Sequence, residues 1–191
     1  MARIYLLMVK NKWWYFPKAI SGEDCKKITS LADVYHDAQL ENGEVYKDVR
    51  KCWVHGRREQ WLYDLFWPYM LGANEEAGWK YDIESAEDFQ ILKYNKGDFY
   101  LTHEDGAGDH LSVYDLPDNK FFNNKVRKIS MVAFLSDDYD GGELEISGET
   151  PMTREAGNLI FFPSFISHQV KPVTSGERFS LSNWFLGPPF K

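Results

Sequence analysis

The sequence predicts a mainly β fold with helices at its N-terminal side, and three observations carry that expectation. Helical periodicity is confined to the part before about residue 78. Beyond Trp79, short runs of β-branched and aromatic residues are separated by turn signals roughly every ten positions, as in an antiparallel sandwich or barrel. Aromatic residues reach 16% of the chain, with seven Trp, a load that suits a β-rich core or an aromatic-lined groove. At 191 residues the chain is long enough for one well-buried core and short for two. One domain is therefore expected over 1–191, with helical support at about 1–78 and a barrel core at about 79–187.

Taken in order, the apolar run from Ile4 to Val9 is too short to span a membrane and lacks a cleavage pattern, so it reads as an opening strand of a cytoplasmic protein. Ser21 is a candidate N-cap for a helix over 21–37, where Cys25, Ile28, Leu31, Ala32 and Tyr35 recur at helical spacing. A second helix is expected over 57–71, with Trp61, Leu62, Leu65 and Phe66 on one stripe and Pro68 as a kink or stop. About eight strands follow, at 79–84, 88–95, 99–104, 126–135, 142–147, 157–162, 168–173 and 177–186. DYDGGEL (138–144) reads as a solvated hairpin turn rather than a Ca²⁺ loop, because Gly141 and Gly142 tolerate positive φ. The connection 106–125 is long and aperiodic, so it is expected to be a lid, with Gly106, Gly108 and Asn123–Asn124 as hinges.

Composition narrows the function. Hydrophobic residues at 43% and charged residues at 27% exclude a disordered or membrane class. A formal charge of -7 without a Lys/Arg cluster gives a phosphate backbone a repulsive surface, so no nucleic-acid partner is expected. Cys25 and Cys52 lack CxxC spacing and imply a reducing compartment or one optional bridge.

Chemistry-bearing residues gather at three places. In YLTHEDG, His103 and Asp105 stand two apart at a strand end, so both side chains leave one face while Glu104 points away. An imidazole and a carboxylate make two thirds of a facial metal triad, and His168, near the start of a late strand, is placed to complete it. A His–Asp pair at a turn is the plainer reading of His103 and Asp105. His36, near a helix end, and His55, in a connector, read as structural or solvated, and His110 as a surface, lid or substitute ligand residue. Arg178 follows a turn at Ser175–Gly176 and enters the next strand, where a buried guanidinium needs an anion: a dicarboxylic co-substrate or an internal Asp or Glu.

Together these motifs resemble the prolyl 4-hydroxylase branch of the 2-oxoglutarate and Fe(II)-dependent oxygenases. The similar segments are YNKGDFYLTHED (94–105), RKISMVAFLSDDYDGGEL (127–144) and GNLIFFPS…HQVKPVTSGERFSLSNWF (157–185), within about 88–187. The resemblance implies a double-stranded β-helix, a jelly-roll-like barrel with N-terminal helices outside. It implies iron at His103, Asp105 and His168, and 2-oxoglutarate at Arg178, with Tyr94 and Ser182 beside it. Phe134 stands where the family often has an assisting tyrosine, so that hydrogen bond is missing. O₂ would be the other co-substrate and ascorbate a reductant, with oxidative decarboxylation to succinate and CO₂ coupled to hydroxylation. By similarity the substrate is a prolyl residue in a peptide, near Tyr100, Arg127 and Trp184, with a free amino acid or other small molecule as the alternative. Relatives that repair DNA carry an arginine where this chain has Trp184. A non-catalytic jelly-roll binding module is the alternative of another class, and Fe(II)-dependent succinate formation discriminates against it.

Overall fold

A computed structural model describes residues 9–39, 44–105, 113–151 and 154–190. Among the described residues two helices, α1 (Gly22–Ser30) and α2 (Gln60–Glu76), accompany fourteen strands. These are β1 (Trp14–Phe16), β2 (His36–Asp37), β3 (Arg50–Lys51), β4 (Trp53–Arg57), β5 (Ser85–Ala86), β6 (Phe89–Tyr94) and β7 (Phe99–His103) in the first half. β8 (Val126–Phe134), β9 (Asp140–Gly141), β10 (Leu144–Ile146), β11 (Leu159–Pro163), β12 (His168–Val170), β13 (Val173–Ser175) and β14 (Arg178–Gly187) follow. The major sheet runs β1-β11-β8-β14-β6-β4-β2, with β5 also on β14, and the minor sheet runs β10-β12-β7-β3. β9 and β13 form a separate pair.

Alternation along the major sheet builds two cores. Ile129, Met131 and Ala133 of β8, with Phe89, Ile91, Leu181 and Phe185, pack under the helices against Ile28, Leu62, Phe66 and Met70. Their neighbours Val132, Phe134, Leu92 and Tyr94 turn inward toward Leu144, Phe162 and Val170. A period of two sends successive side chains to opposite faces, so one strand serves both cores.

Ser21 caps α1, its hydroxyl accepting from the Asp24 amide at 3.0 Å. The helix stops at Ser30 rather than continuing to 37. Thr29 and Ser30 turn their hydroxyls back onto the Cys25 and Lys27 carbonyls, and His36 and Asp37 pair with Val54 and Trp53 instead. In α2 the helix passes through Pro68 to Glu76. Pro68 and Asp64, whose carbonyl loses its donor, are both exposed, so water can satisfy it. Leu62, Phe66 and Met70 are fully buried; at roughly 1.5–3 kcal/mol each, they outweigh the about 3 kcal/mol an interior proline costs.

Four further expectations need correction. Residues 79–84 are not a strand: Lys80 takes positive φ, and Asn74 holds Trp79, Lys80 and Tyr81 in a turn closing α2. The DYDGGEL turn is not a hairpin, because β9 pairs with β13 and β10 with β12; its two positive-φ glycines carry the chain from one sheet to the other. His36 lies on β2, away from any helix end. Residues 113–125 form a bonded excursion docked on β5, with Tyr114 NH on Lys125 O, Asn124 NH on Tyr114 O, and Ser85 Oγ on Phe121 O. Asn124 is thereby fixed rather than a free hinge, while Gly106, Gly108 and His110 lie outside the described residues, as does the Ile4–Val9 run except Val9. Cys25 and Cys52 are both free and buried. Among the described residues no helix is long and apolar enough to cross a membrane.

Candidate metal centre and co-substrate cavity

His103 ends β7 and His168 begins β12, and the two are register partners. Each ring is fixed by its own strand: Nδ1 of His103 meets Leu101 O at 2.8 Å, and Nδ1 of His168 meets Ile166 O at 2.9 Å. A carbonyl only accepts, so each Nδ1 carries the hydrogen and each Nε2 offers its lone pair. Those Nε2 atoms face Asp105, at 3.8 Å from His103 and 3.4 Å from His168. The three donor atoms lie within 4.8 Å of one another. Asp105 is held by its amide on Ser164 O at 2.9 Å and by Ser130 Oγ, which donates to Oδ2 at 2.5 Å. Thus the minor-sheet pair is tied to β8 of the major sheet.

Electrostatics suits a cation there. Burial, then the neighbouring His168, lowers the His103 imidazole to about 3, so it is neutral at pH 7. Burial works to raise Asp105, but His168, His103, Arg127 and the Ser130 hydroxyl hold its carboxyl at about 2. Two imidazoles and one carboxylate converging beside a cavity of about 650 Å³ form the donor set of a facial triad, which fits a divalent iron.

Arg178 enters the same cavity from β14 and is 1% exposed. Among the described residues no carboxylate is within salt-bridge reach of it, so none of the described Asp or Glu residues supplies an internal ion pair. One nitrogen donates to Ser180 Oγ at 2.8 Å, and Nε is buried without a partner. Tyr94 lies beside it, 5.1 Å from the ring centroid, and burial keeps that phenol protonated and able to donate. Phe134 flanks the other side at 5.3 Å without a hydroxyl. Tyr139 brings a buried phenol near the guanidinium, a neighbour the sequence pattern did not single out. Ser182 lines the cavity two residues beyond Ser180.

Tyr100, Arg127 and Trp184 line the same cavity. Tyr100 stacks on His103 with centroids 3.5 Å apart, and Arg127 lies 4.2 Å above the Trp184 ring. Glu87 pins Arg127 with two bonds, Nε at 2.5 Å and Nη2 at 2.7 Å, and accepts from Tyr114 OH at 3.1 Å. Every expected site residue therefore falls around one space. Sequence reasoning missed Arg50, Gln90, Glu87 and Ser130; of these only Ser130 lay within a quoted motif. His36 is exposed, and His55 is buried on β4 with Nδ1 on Val34 O, so neither faces this space.

A helix-backed double sheet with this triad and a buried arginine defines the class of 2-oxoglutarate and iron oxygenases, and the comparisons agree. Residues 89–186, just over half of the chain, match the 2OG-Fe(II) oxygenase superfamily, and the chain belongs to that family. A PKHD-type hydroxylase of Stenotrophomonas maltophilia is 40% identical over 97 residues, 48% of this chain but 40% of that protein. Another from Hyphomonas neptunium is 48% identical over 100 residues, 47% of this chain and 38% of its own length. The chain thus matches well under half the length of these relatives. Among solved structures, the viral collagen prolyl hydroxylase of Paramecium bursaria Chlorella virus-1 gives a TM-score of 0.69 at 18% identity, covering 93% of this chain and 97% of that one. A Pseudomonas putida prolyl-4-hydroxylase gives 0.67 at 19% identity, covering 96% and 97%. At such identities the likeness is one of fold, and it is the double-stranded β-helix.

Proposed function

We propose that this chain is one oxygenase domain that binds Fe(II) through His103, Asp105 and His168 and 2-oxoglutarate through Arg178, and hydroxylates a prolyl residue in a peptide. One observation carries the reading: a metal-type donor set and an arginine with no carboxylate partner among the described residues meet in a single cavity. When bound, the iron supplies the activation of O₂ that couples decarboxylation of 2-oxoglutarate to hydroxylation. The protein's own part is orientation. The Arg178 fork takes the distal carboxylate, Tyr94 and Ser182 donate to it, and Leu92, Val132 and Phe162 wall out water. Tyr100, Arg127 and Trp184 form the wall toward the substrate. The prolyl assignment draws on the solved prolyl hydroxylases that share the fold, and ascorbate as a reductant is part of the same proposal.

The test is succinate formation from 2-oxoglutarate with and without Fe(II), followed by mass spectrometry of a proline-containing peptide array. Fe(II)-dependent succinate that disappears in His168→Ala is expected. Succinate formation surviving in that variant would remove His168 from the metal. A second reading, a free amino acid or other small molecule as substrate, is favoured by one observation, the half-buried Arg50, which has no carboxylate partner among the described residues.

A further inference from the structure

Three arginines line the cavity, and they are not equivalent. Arg127 is neutralised by its two-bond pair with Glu87. Arg178 serves the co-substrate under the reading above. Arg50, the first residue of β3, has no carboxylate within 4.0 Å among the described residues. Its Nη1 donates to Gln39 O at 3.2 Å and its Nη2 to Gln90 Oε1 at 3.4 Å, both long neutral contacts, while Nε is buried with no partner. A guanidinium cannot shed its proton, so a half-buried one with neutral acceptors and no carboxylate beside it among the described residues can take an anion into the cavity.

Its position fixes which part of the cavity an anion on it would occupy. β3 pairs with β7 so that Arg50 stands opposite Tyr100, and the guanidinium lies 4.7 Å from that ring. Tyr100 in turn stacks on His103. An anion on Arg50 would therefore sit about one aromatic ring away from the proposed iron ligand, in the space left for the molecule to be oxidised. The carboxylates that line the cavity do not answer this need: Asp105 is held by Ser130 and faces the two histidines, and Glu104 is exposed.

We infer that Arg50 binds a carboxylate of the substrate, so that the substrate class is a molecule carrying an anionic group close to the carbon that is hydroxylated. The inference rests on the 2-oxoglutarate reading of the cavity. Two sources share this chemistry: the free α-carboxylate of a terminal residue or amino acid, and the side chain of an acidic residue beside the target in a peptide.

Matched probe pairs on the full chain, loaded with Mn(II) and saturating 2-oxoglutarate, decide between them by calorimetry. The first pair is N-acetyl-L-proline against its amide; the second is acetyl-Asp-Pro-amide against acetyl-Asn-Pro-amide. In one pair the carboxylate member is expected to bind about ten- to a hundred-fold tighter, the range of a charge-assisted bond. A preference in the first pair assigns a terminal carboxylate and in the second an acidic side chain. The preference should vanish in Arg50→Gln and survive in part in Arg50→Lys, which keeps the charge should the glutamine variant not fold. Affinity for 2-oxoglutarate should stay within about threefold in both. Equal binding within both pairs, or no binding of any probe, overturns the inference and leaves the co-substrate site standing, as does a loss of 2-oxoglutarate affinity in Arg50→Gln. Failure of the Mn(II)-loaded parent to bind 2-oxoglutarate brings down the underlying reading and this inference with it.

Discussion

Arg178 is where one residue bears most on the chemistry. Removing one partner of a buried charge pair costs about 3–5 kcal/mol, so Arg178→Ala should weaken 2-oxoglutarate binding to Mn(II)-loaded protein by roughly a hundred- to a thousand-fold. Mn(II) affinity should hardly change, and Arg178→Lys should recover part of the loss because it keeps charge without the two-bond fork. Titration calorimetry reads both, and parental affinity in folded Arg178→Ala would reject the assignment. Ser130 acts one step further out, orienting Asp105 through its hydroxyl. Losses of about ten- to a hundred-fold in metal affinity are typical for such partners, and Ser130→Ala measured by Mn(II) titration should fall there. Lys128 is a stability question. It is 4% exposed, its amine 3.4 Å over the Phe190 ring, and burial lowers its ammonium to about 8, against the opposing pull of Asp82. An unfolded chain keeps that proton to about 10.4. Below pH 8 the fold therefore carries the penalty of a buried charge, and stability is regained as pH rises from 8 toward the unfolded value. Lys128→Met should be more stable than the parent at pH 7, with a smaller gap at pH 10. Urea unfolding at the two pH values checks this, and an unchanged gap would contradict it.

At the scale of elements, the turn between β9 and β10 packs against Arg178, the residue proposed to hold the co-substrate. Gly142 has φ +63, and a Cβ there would meet Arg178 Cδ at 2.9 Å and Val173 Cγ2 at 3.0 Å. Gly142→Ala should therefore cost about 1–3 kcal/mol of stability and also weaken 2-oxoglutarate binding, by about tenfold if the fork shifts. Stability lost with co-substrate affinity intact would show that the turn is only structural. These elements also show what could be read beforehand. The period-two alternation of β6, β8 and β14 was legible because covalent geometry alone sends neighbours to opposite faces. The glycine conformations of 138–144 were legible for the same local reason, but the partners of β9 and β10 were not. Pairing is chosen by which arrangement buries both faces, and no local spacing encodes that. Likewise α1 ends early because the backbone of 36–37 finds a partner in β4.

Across the whole molecule, the helix-facing and inward cores are built from side chains that owe nothing to a metal. Chelator treatment should thus leave far-UV circular dichroism unchanged, while Mn(II) at a hundred times its Kd should add about 2.7 kcal/mol to unfolding stability. Unfolding on chelation would place the centre among the folding determinants. By itself the sequence determined the mainly β class with helices ahead, and it singled out His103, Asp105 and His168 as candidate metal donors and Arg178 as the candidate for an anion. Each follows from short-range spacing or from motifs whose order survives in the chain. Only the tertiary structure decided that Ser130 holds Asp105, that Glu87 pairs with Arg127, that residues 113–125 dock on β5, and that Arg50 reaches the cavity with no carboxylate partner among the described residues. Those contacts join residues 25 to 40 positions apart or depend on a cation with no carboxylate beside it among the described residues, and such facts exist only once the sheets have closed on each other.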